Sequence, residues 1–406
     1  MNKVLVFTDE YHYESNGLFN AYMQQSQALS SKFKITAVLN KQHWGLGELY
    51  VKSQDLPNFN IEVLDISQPG KLCFNLAEKI KSFLISGLLR VLGGVLDGIM
   101  LPFVYWRLFV FLKELEFDLV LIHNGGWPGG YLSRALALVT KLTKKPVVMV
   151  IHNYPSKSKS NSFNYLVFSV RYLQNLVANV CVNEFVAVSN NLSKSLKDFG
   201  LKRVRTIFNS FDHTKVTNFP NNRSLRADNT VVVGFIGALI PRKGVDVLLK
   251  GFLELSSDSE LLIVGDGVER SALEVIANNS ERKITFAGFS NEPLIQLNMM
   301  DILVVPSIAF ESFGMVILEG MAAKLPVVVS EIGGMPEVIV NGVTGYLFPP
   351  GDHHRLSQVL EILVGSPDLR ESMGANGYTR LIEEFSVNKM NLSYIEMVDE
   401  LIVTKI

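Results

Sequence analysis

Residues 302–321, ILVVPSIAFESFGMVILEGM, decide the fold. Ile302–Val305 is a run of β-branched and leucine residues that Pro306 ends, and an apolar run opening at Gly314 reads as a helix. A strand without polar alternation is buried on both faces, which marks a parallel sheet covered by helices. Working outward, the same unit recurs. Further candidate strands in this half are Val231–Ile236, Glu260–Val264, Ile284–Ala287 and Pro326–Val329. An earlier series comprises Val4–Phe7, Ile35–Leu39, Leu119–His123, Val147–Ile151, Glu184–Val188 and Arg205–Phe208. Short strands alternating with helical stretches give an α/β chain of two Rossmann-like, doubly wound domains.

Asp212–Thr230, DHTKVTNFPNNRSLRADNT, separates the two series and is polar, asparagine-rich and nearly free of aliphatic residues. It sets the expected boundaries: a domain over 1–212, a linker over 213–229 and a second domain over 230–385. Open α/β sheets bind ligands beyond the carboxyl ends of their strands, so both domains are expected to face a central cleft. A length of 406 residues suits two such cores. With 48% apolar and 19% charged residues the chain is of packed globular type, and a net charge of −1 argues against nucleic acid as a partner. Cys73 and Cys181 lie far apart and form neither a disulfide framework nor a zinc site, which suits a reducing compartment. The chain enters a strand at Val4 with no apolar leader before it, so a cytoplasmic location is expected. The glycosylation sequons at Asn191, Asn222 and Asn391 read as chance matches.

One stretch resists that plain reading: Phe83 to Leu112, FLISGLLRVLGGVLDGIMLPFVYWRLFVFL. Arg90, Asp97 and Arg107 interrupt it, and Pro102 with several glycines is expected to break the helix. The expectation is a buried helix pair. The main alternative is contact with the cytoplasmic membrane face, with Lys71, Lys79, Lys81, Arg90 and Lys113 toward headgroups, and a true span is a third reading.

The chemistry begins in the opening stretch. Glu311 and Glu319 are separated by seven residues, the first before the helix and the second about five residues, roughly 7.5 Å, into it. The N–H groups of Phe313, Gly314, Met315 and Val316 stand at the helix start, where an anion is favoured. A phosphate there leaves Glu319 placed for the two hydroxyls of a ribose and Glu311 for those of a sugar. The plain alternative is an amphipathic helix with two solvent-facing glutamates. In Gly234–Asp246, GFIGALIPRKGVD, a strand ends at Ile236, Gly237 turns the chain, and Arg242 and Lys243 precede a second helix, within reach of diphosphate oxygens. Two further glycine turns follow strands: in EIGGMPE at 331–337, Gly333 and Gly334 let the backbone pass beside a sugar or phosphate, though an ordinary tight turn explains them equally well, and VGDGVE at 264–269 lacks the third glycine of a dinucleotide fingerprint. His152 ends the strand at 147–151, and His123, followed by NGGWPGG, ends the strand at 119–123. A histidine at a strand end is most often structural. No histidine pair falls at metal-ligand spacing and no Asp-x-Asp follows a strand, so neither metal nor cofactor is expected.

Taken in order and spacing, GALIPRKGVD, VGDG, PSIAFESFGMVILEGMA and EIGGMPEVIVNGVTGYLF resemble the C-terminal domain of the family 4 retaining glycosyltransferases, which have the GT-B fold. VIHNYPS (150–156), FVAVSNNL (185–192) and IFNSFD (207–212) extend the resemblance into the first half. The resemblance implies a nucleotide-sugar donor, with Lys243 on its diphosphate, Glu319 on its ribose and Glu311 on the transferred sugar. Phe313, Gly314, Met315 and Val316 match the loop that offers backbone amides, His152 matches a histidine facing the transferred sugar, and Gly17 is a candidate for the glycine loop near the phosphates. His123 and Trp127 are candidates for the acceptor side. Where the family carries an arginine after Gly237 this chain has Ala238, and Arg242 is the candidate substitute. The last helix, within 386–406, is expected to cross back to the first domain. The implied acceptor is a glycan or lipid-linked glycan in surface polysaccharide synthesis. The alternatives are a nucleotide-sugar 2-epimerase of the same architecture and a non-catalytic sugar-nucleotide-binding subunit.

Overall fold

The computed structural model describes residues 1–8, 16–41, 43, 46–54, 56–66, 71–79, 83–127, 130–155, 176–217, 230–290 and 292–404. Two compact units emerge. The first comprises Met1–Ala187, Ser193–Ile207 and Asn391–Ile406, and the second Val188–Leu192 and Phe208–Met390.

Unit 1 is built on seven parallel strands: β1 (Lys3–Thr8), β2 (Lys34–Asn40), β3 (Phe59–Leu64), β4 (Leu119–Asn124), β5 (Val147–Ile151), β6 (Glu184–Ala187) and β7 (Val204–Thr206). Their order is β3-β2-β1-β4-β5-β6-β7, with Val4 beside Leu119 and Val120 beside Val147. All six residues of β4 and all five of β5 are buried, as expected of central strands covered on both faces. Each of their apolar side chains contributes roughly 1.5–3 kcal/mol on full burial. The helix Val387–Val403 belongs to this unit from Asn391 onward: Tyr394, Met397 and Val398 are buried, and Tyr394 accepts a hydrogen bond from the Gln25 amide at 2.9 Å.

Unit 2 holds six parallel strands, β8 (Val231–Ile236), β9 (Ser259–Val264), β10 (Ile284–Gly288), β11 (Ile302–Val305), β12 (Val327–Ser330) and β13 (Gly345–Phe348), in the order β10-β9-β8-β11-β12-β13. Its core packs Val233, Phe235, Ile263 and Val304 of the sheet against Leu248, Phe252, Leu356 and Leu360 of the helices Val245–Leu253 and His353–Gly365. In both sheets the chain reverses direction of growth beside the first strand, between β1 and β4 and between β8 and β11. Ligands of open α/β sheets bind at such switch points.

The structure corrects the reading of the apolar stretch. It is one helix, Phe83–Glu114, with Pro102 inside it. A proline removes a single i→i−4 hydrogen bond and strains the turn before it, a local cost that long apolar flanks on both sides carry. Nor is the helix a buried pair. Val104, Leu108 and Leu112 face the core, while Leu88, Val95, Ile99, Phe103 and Trp106 are at least half exposed. A helix apolar all round does not disclose which face packs. Residues Val95–Glu114 are long and apolar enough to cross a bilayer by length and composition, but Tyr131 donates a hydrogen bond to the Asp97 carbonyl and ties the helix to unit 1. Lys113 is exposed; the side chains of Lys71, Lys79, Lys81 and Arg90 lie outside the described residues, as does 218–229 of the expected linker.

Candidate functional site

In unit 2 the loops after β8 and β11, the two strands at the switch point, come together through their backbones. The Ile308 N–H donates to the Arg242 carbonyl at 3.0 Å, and the Gly334 N–H, after β12, donates to the Glu311 carbonyl at 2.8 Å. Gly244 makes the first contact sterically possible: its φ is 65°, and a Cβ there would lie 2.1 Å from the Pro306 carbonyl oxygen. Three sequence motifs thereby become one surface.

On that surface three groups converge on one atom. Glu311 Oε1 is 2.6 Å from Lys243 Nζ, 2.7 Å from Arg242 Nη1 and 3.3 Å from the Ser307 hydroxyl. Ala238, where a second cation was expected, is exposed, and Arg242 sits within bonding distance of the same carboxylate as Lys243. Gly237 leads the chain off β8, and its N–H donates to the Val264 carbonyl. Next to this cluster the helix Met315–Ala322 begins at Gly314 with no side-chain cap on its first N–H groups. Phe313 is buried, in ring contact with Phe208 and Phe385, so it anchors the loop with its ring. Met315 and Val316, half-buried, form the first turn. Glu319 lies in desolvated surroundings that push its carboxyl up to about 7, against a smaller opposing pull from Lys215. Ser307 and Lys215 were not singled out in the sequence. Ser307 follows Pro306 at the strand end, a signal that was available, but Lys215 meets Glu319 only through the fold.

In unit 1, His123 at the end of β4 and His152 just after β5 lie side by side. Their rings stack with centroids 5.4 Å apart, and His123 Nδ1 is 3.2 Å from His152 Nε2. Burial drives both toward the neutral form, His152 down to about 4 and His123, which also feels His152, well below its usual range. His123 has no exposed surface and its Nε2 has no hydrogen-bond partner, so it lines no open acceptor face and touches His152 instead. Trp127 is likewise buried, edge-on to Phe185. The Asn124 side chain braces their loop by donating to the Gly126 carbonyl and accepting from the Gly130 N–H. Gly17 is the second residue of the helix Asn16–Ser30, and residues 9–15 before it lie outside the described residues.

The motif spacing and these two sheets agree with independent comparisons. Residues 84–215 match the model for Glycosyltransferase Family 4, and residues 218–380 the model for Glycosyl transferases group 1. The chain belongs to the family 4 glycosyltransferases. It is 26% identical over 306 residues to the capsular polysaccharide biosynthesis glycosyltransferase CapM of Staphylococcus aureus, covering 69% of this chain and 78% of that one. Among solved structures it resembles Anabaena HepE in complex with UDP and glucose (TM-score 0.69, 18% identity, 98% of this chain and 100% of that chain). It also resembles the lipopolysaccharide outer core galactosyltransferase WaaB (TM-score 0.67, 16% identity, all of both chains). The fold of this glycosyltransferase is therefore GT-B.

The glycosyltransferase carries one group of metal-capable side chains among the described residues, which the sequence reading passed over: Glu254, His353 and His354. His353 Nδ1 is 2.8 Å from one Glu254 oxygen and His354 Nδ1 is 3.0 Å from the other. Adjacent side chains diverge in regular elements, so the pair gave no spacing signal. Glu254 closes the far end of the helix that starts beside Lys243, about 14 Å along its axis, so the group is separate from the cluster on Glu311.

Proposed function

We propose that this glycosyltransferase moves a sugar from a nucleoside diphosphate to an acceptor hydroxyl with retention at the anomeric carbon. The observation that carries the reading is the convergence of Lys243 and Arg242 on Glu311 beside an uncapped helix start. Two cations held by one carboxylate are poised for exchange: an arriving diphosphate offers them more negative charge and takes the helix N–H groups as well. Glu311, released, accepts hydrogen bonds from the transferred sugar, and Glu319 from the ribose. In the transfer itself the bond from the anomeric carbon to the diphosphate oxygen breaks. A bond to the acceptor oxygen forms on the same face, and the acceptor proton passes to the leaving diphosphate. Lys243 and Arg242 stabilise the charge that grows there. The binding of UDP and glucose by HepE supports a nucleotide-sugar donor. CapM and WaaB support a glycan or lipid-linked glycan acceptor in polysaccharide or glycolipid synthesis.

Lys243→Ala and Glu319→Ala test the donor site. Removing a charged hydrogen-bonding group costs roughly 1.5–3 kcal/mol, so each variant should bind its donor on the order of 10–150-fold more weakly by calorimetry. If a panel of UDP-, GDP- and dTDP-sugars includes a ligand for the wild type and both variants bind it equally well, the site assignment is wrong.

A further inference from the structure

The long helix of unit 1 has two apolar sides, and only one meets the core. Leu88, Leu92, Val95, Ile99, Phe103 and Trp106 are all exposed and recur at steps of three and four residues. They form one stripe, which from Ile85 to Val110 runs about 37 Å. Phe103 and Trp106 lie in ring contact on it, at 5.9 Å between centroids. Monomeric proteins rarely leave a continuous apolar surface of this extent uncovered.

Leu101 and Tyr105, between stripe residues but turned about 200° from Ile99 and Phe103, line a pocket of about 370 Å³ behind the helix. Trp127, Leu138, Met149 and Ala178 complete most of its wall. Arg134 and the two tyrosines, Tyr105 and Tyr131, supply its polar part. Val177 also lines it and is exposed, as are its neighbours Leu176 and Val180, so the pocket reaches the surface through apolar residues. The volume is more than twice the roughly 150 Å³ of an apolar cavity that takes up benzene. Packed interiors avoid such voids, because their lining forfeits dispersion contacts that a bound apolar group restores. A sugar would meet few hydrogen-bonding partners on these walls.

We propose that this pocket takes one hydrocarbon chain of a bilayer lipid, while the stripe lies in the interface of an anionic membrane. Charge selects that occupant. Residues 71–114 hold six lysines and arginines against three acidic residues, in a chain whose totals are 38 and 39. Two copies of this chain meeting face to face would oppose two net-positive segments, whereas anionic headgroups neutralise them. Trp106 suits the headgroup boundary, where one side is apolar and the other wet, and Phe103 packs against it from the apolar side. A lipid-linked acceptor would reach the enzyme at that same surface. The inference does not depend on the donor site and stands or falls apart from it.

Tryptophan fluorescence separates stripe from pocket. The three tryptophans are Trp44, Trp106 and Trp127, so a Trp44→Phe/Trp106→Phe protein reports from the pocket alone and a Trp44→Phe/Trp127→Phe protein from the stripe. The probe is a vesicle of phosphatidylcholine and phosphatidylglycerol whose phosphatidylglycerol carries brominated chains. Both proteins should float with these vesicles at low salt, less so at about 1 M salt, where screening shortens to about 3 Å. Both tryptophans should be quenched, and filling the pocket by Ala178→Phe should abolish quenching of Trp127 while leaving that of Trp106. Leu101→Trp in the tryptophan-free background gives a second pocket reporter should Ala178→Phe not fold. Flotation with Trp106 quenched and both pocket reporters untouched would overturn the chain pocket. Absence of flotation, or a dimer in sedimentation that buries the stripe instead, would overturn the inference as a whole. Calorimetry of the donor on the same proteins reads unit 2 separately, so a lost donor site is not mistaken for a lost lipid site.

Discussion

Glu319 and His152 illustrate how burial sets the charge of single residues in opposite senses. The Glu319 carboxyl is pushed up to about 7 by desolvation, above the usual value near 4.5. Between those values the folded state holds a proton that the unfolded state has lost, so stability falls as pH rises from about 5 to about 7 and then levels. At about 1.4 kcal/mol per pH unit the contribution is on the order of 3 kcal/mol. The His152 imidazole is driven down to about 4, and its contribution has the other sign: present above about 6.5 and lost as pH falls toward 4. Because the two oppose, the wild-type profile alone does not isolate either. The difference between wild type and Glu319→Gln does. In urea titrations without ligand the variant should gain on the wild type as pH rises through 5–7, and a constant difference would remove the raised carboxyl. The sequence singles out Glu319 only as a candidate; its raised pKa is not legible there, because the desolvation that raises it and the smaller opposing pull of Lys215 arise only when the helices around 214–217 and 315–322 pack.

Among elements, the loop 237–244 depends on a single backbone choice. Gly244 closes the short helical turn Pro241–Lys243 in a left-handed conformation and abuts the Pro306 carbonyl. Gly244→Ala should therefore cost about 3 kcal/mol, combining left-handed strain with displacement of the β11 loop, and should lower donor affinity because Lys243 moves with it. Gly351 provides the comparison, with φ at 82° and open space around its missing Cβ. Gly351→Ala should cost only about 1–2 kcal/mol and leave donor affinity intact. Equal affinity losses in the two variants, by calorimetry and urea midpoint together, would contradict this. The element scale is also where sequence reading was most uneven. Central strands such as β5, β8 and β11 were readable because continuous β-branched runs are buried on both faces. The sheet-edge strands β3 and β13 were missed: FNIEVL and GYLF are only partly buried and need no such run. Pro102 misled in the other direction, since composition does not reveal that a helix continues past a local defect.

At the scale of the whole molecule, the chain lends Val188–Leu192 to unit 2, leaves unit 1 again after Ile207 to build the rest of unit 2, and returns at Asn391. The returning helix contributes core rather than a loose tail. Tyr394 is buried and hydrogen-bonded to Gln25, with Met397 and Val398 fully enclosed. Arg205 pairs with Glu400, and Lys32 with Asp399, at the accessible edge, where such pairs add little. Its weight should therefore lie in the aromatic ring. Tyr394→Ala removes a buried aromatic side chain, about 3–5 kcal/mol, and also strands the Gln25 amide. Tyr394→Phe keeps the ring and loses only the hydrogen bond, about 1 kcal/mol with up to about 3 if the amide stays unpaired. All three tryptophans fall within residues 1–187, so their fluorescence follows unit 1. With a urea slope of about 1–3 kcal/mol per molar, Tyr394→Ala should move the fluorescence midpoint down by about 1–5 M, and Tyr394→Phe by a fraction of that. Midpoints that coincide with the wild type in both variants would mean that the last helix is dispensable to unit 1. Equal shifts in both would place the helix's contribution in the hydrogen bond to Gln25 rather than in the buried ring.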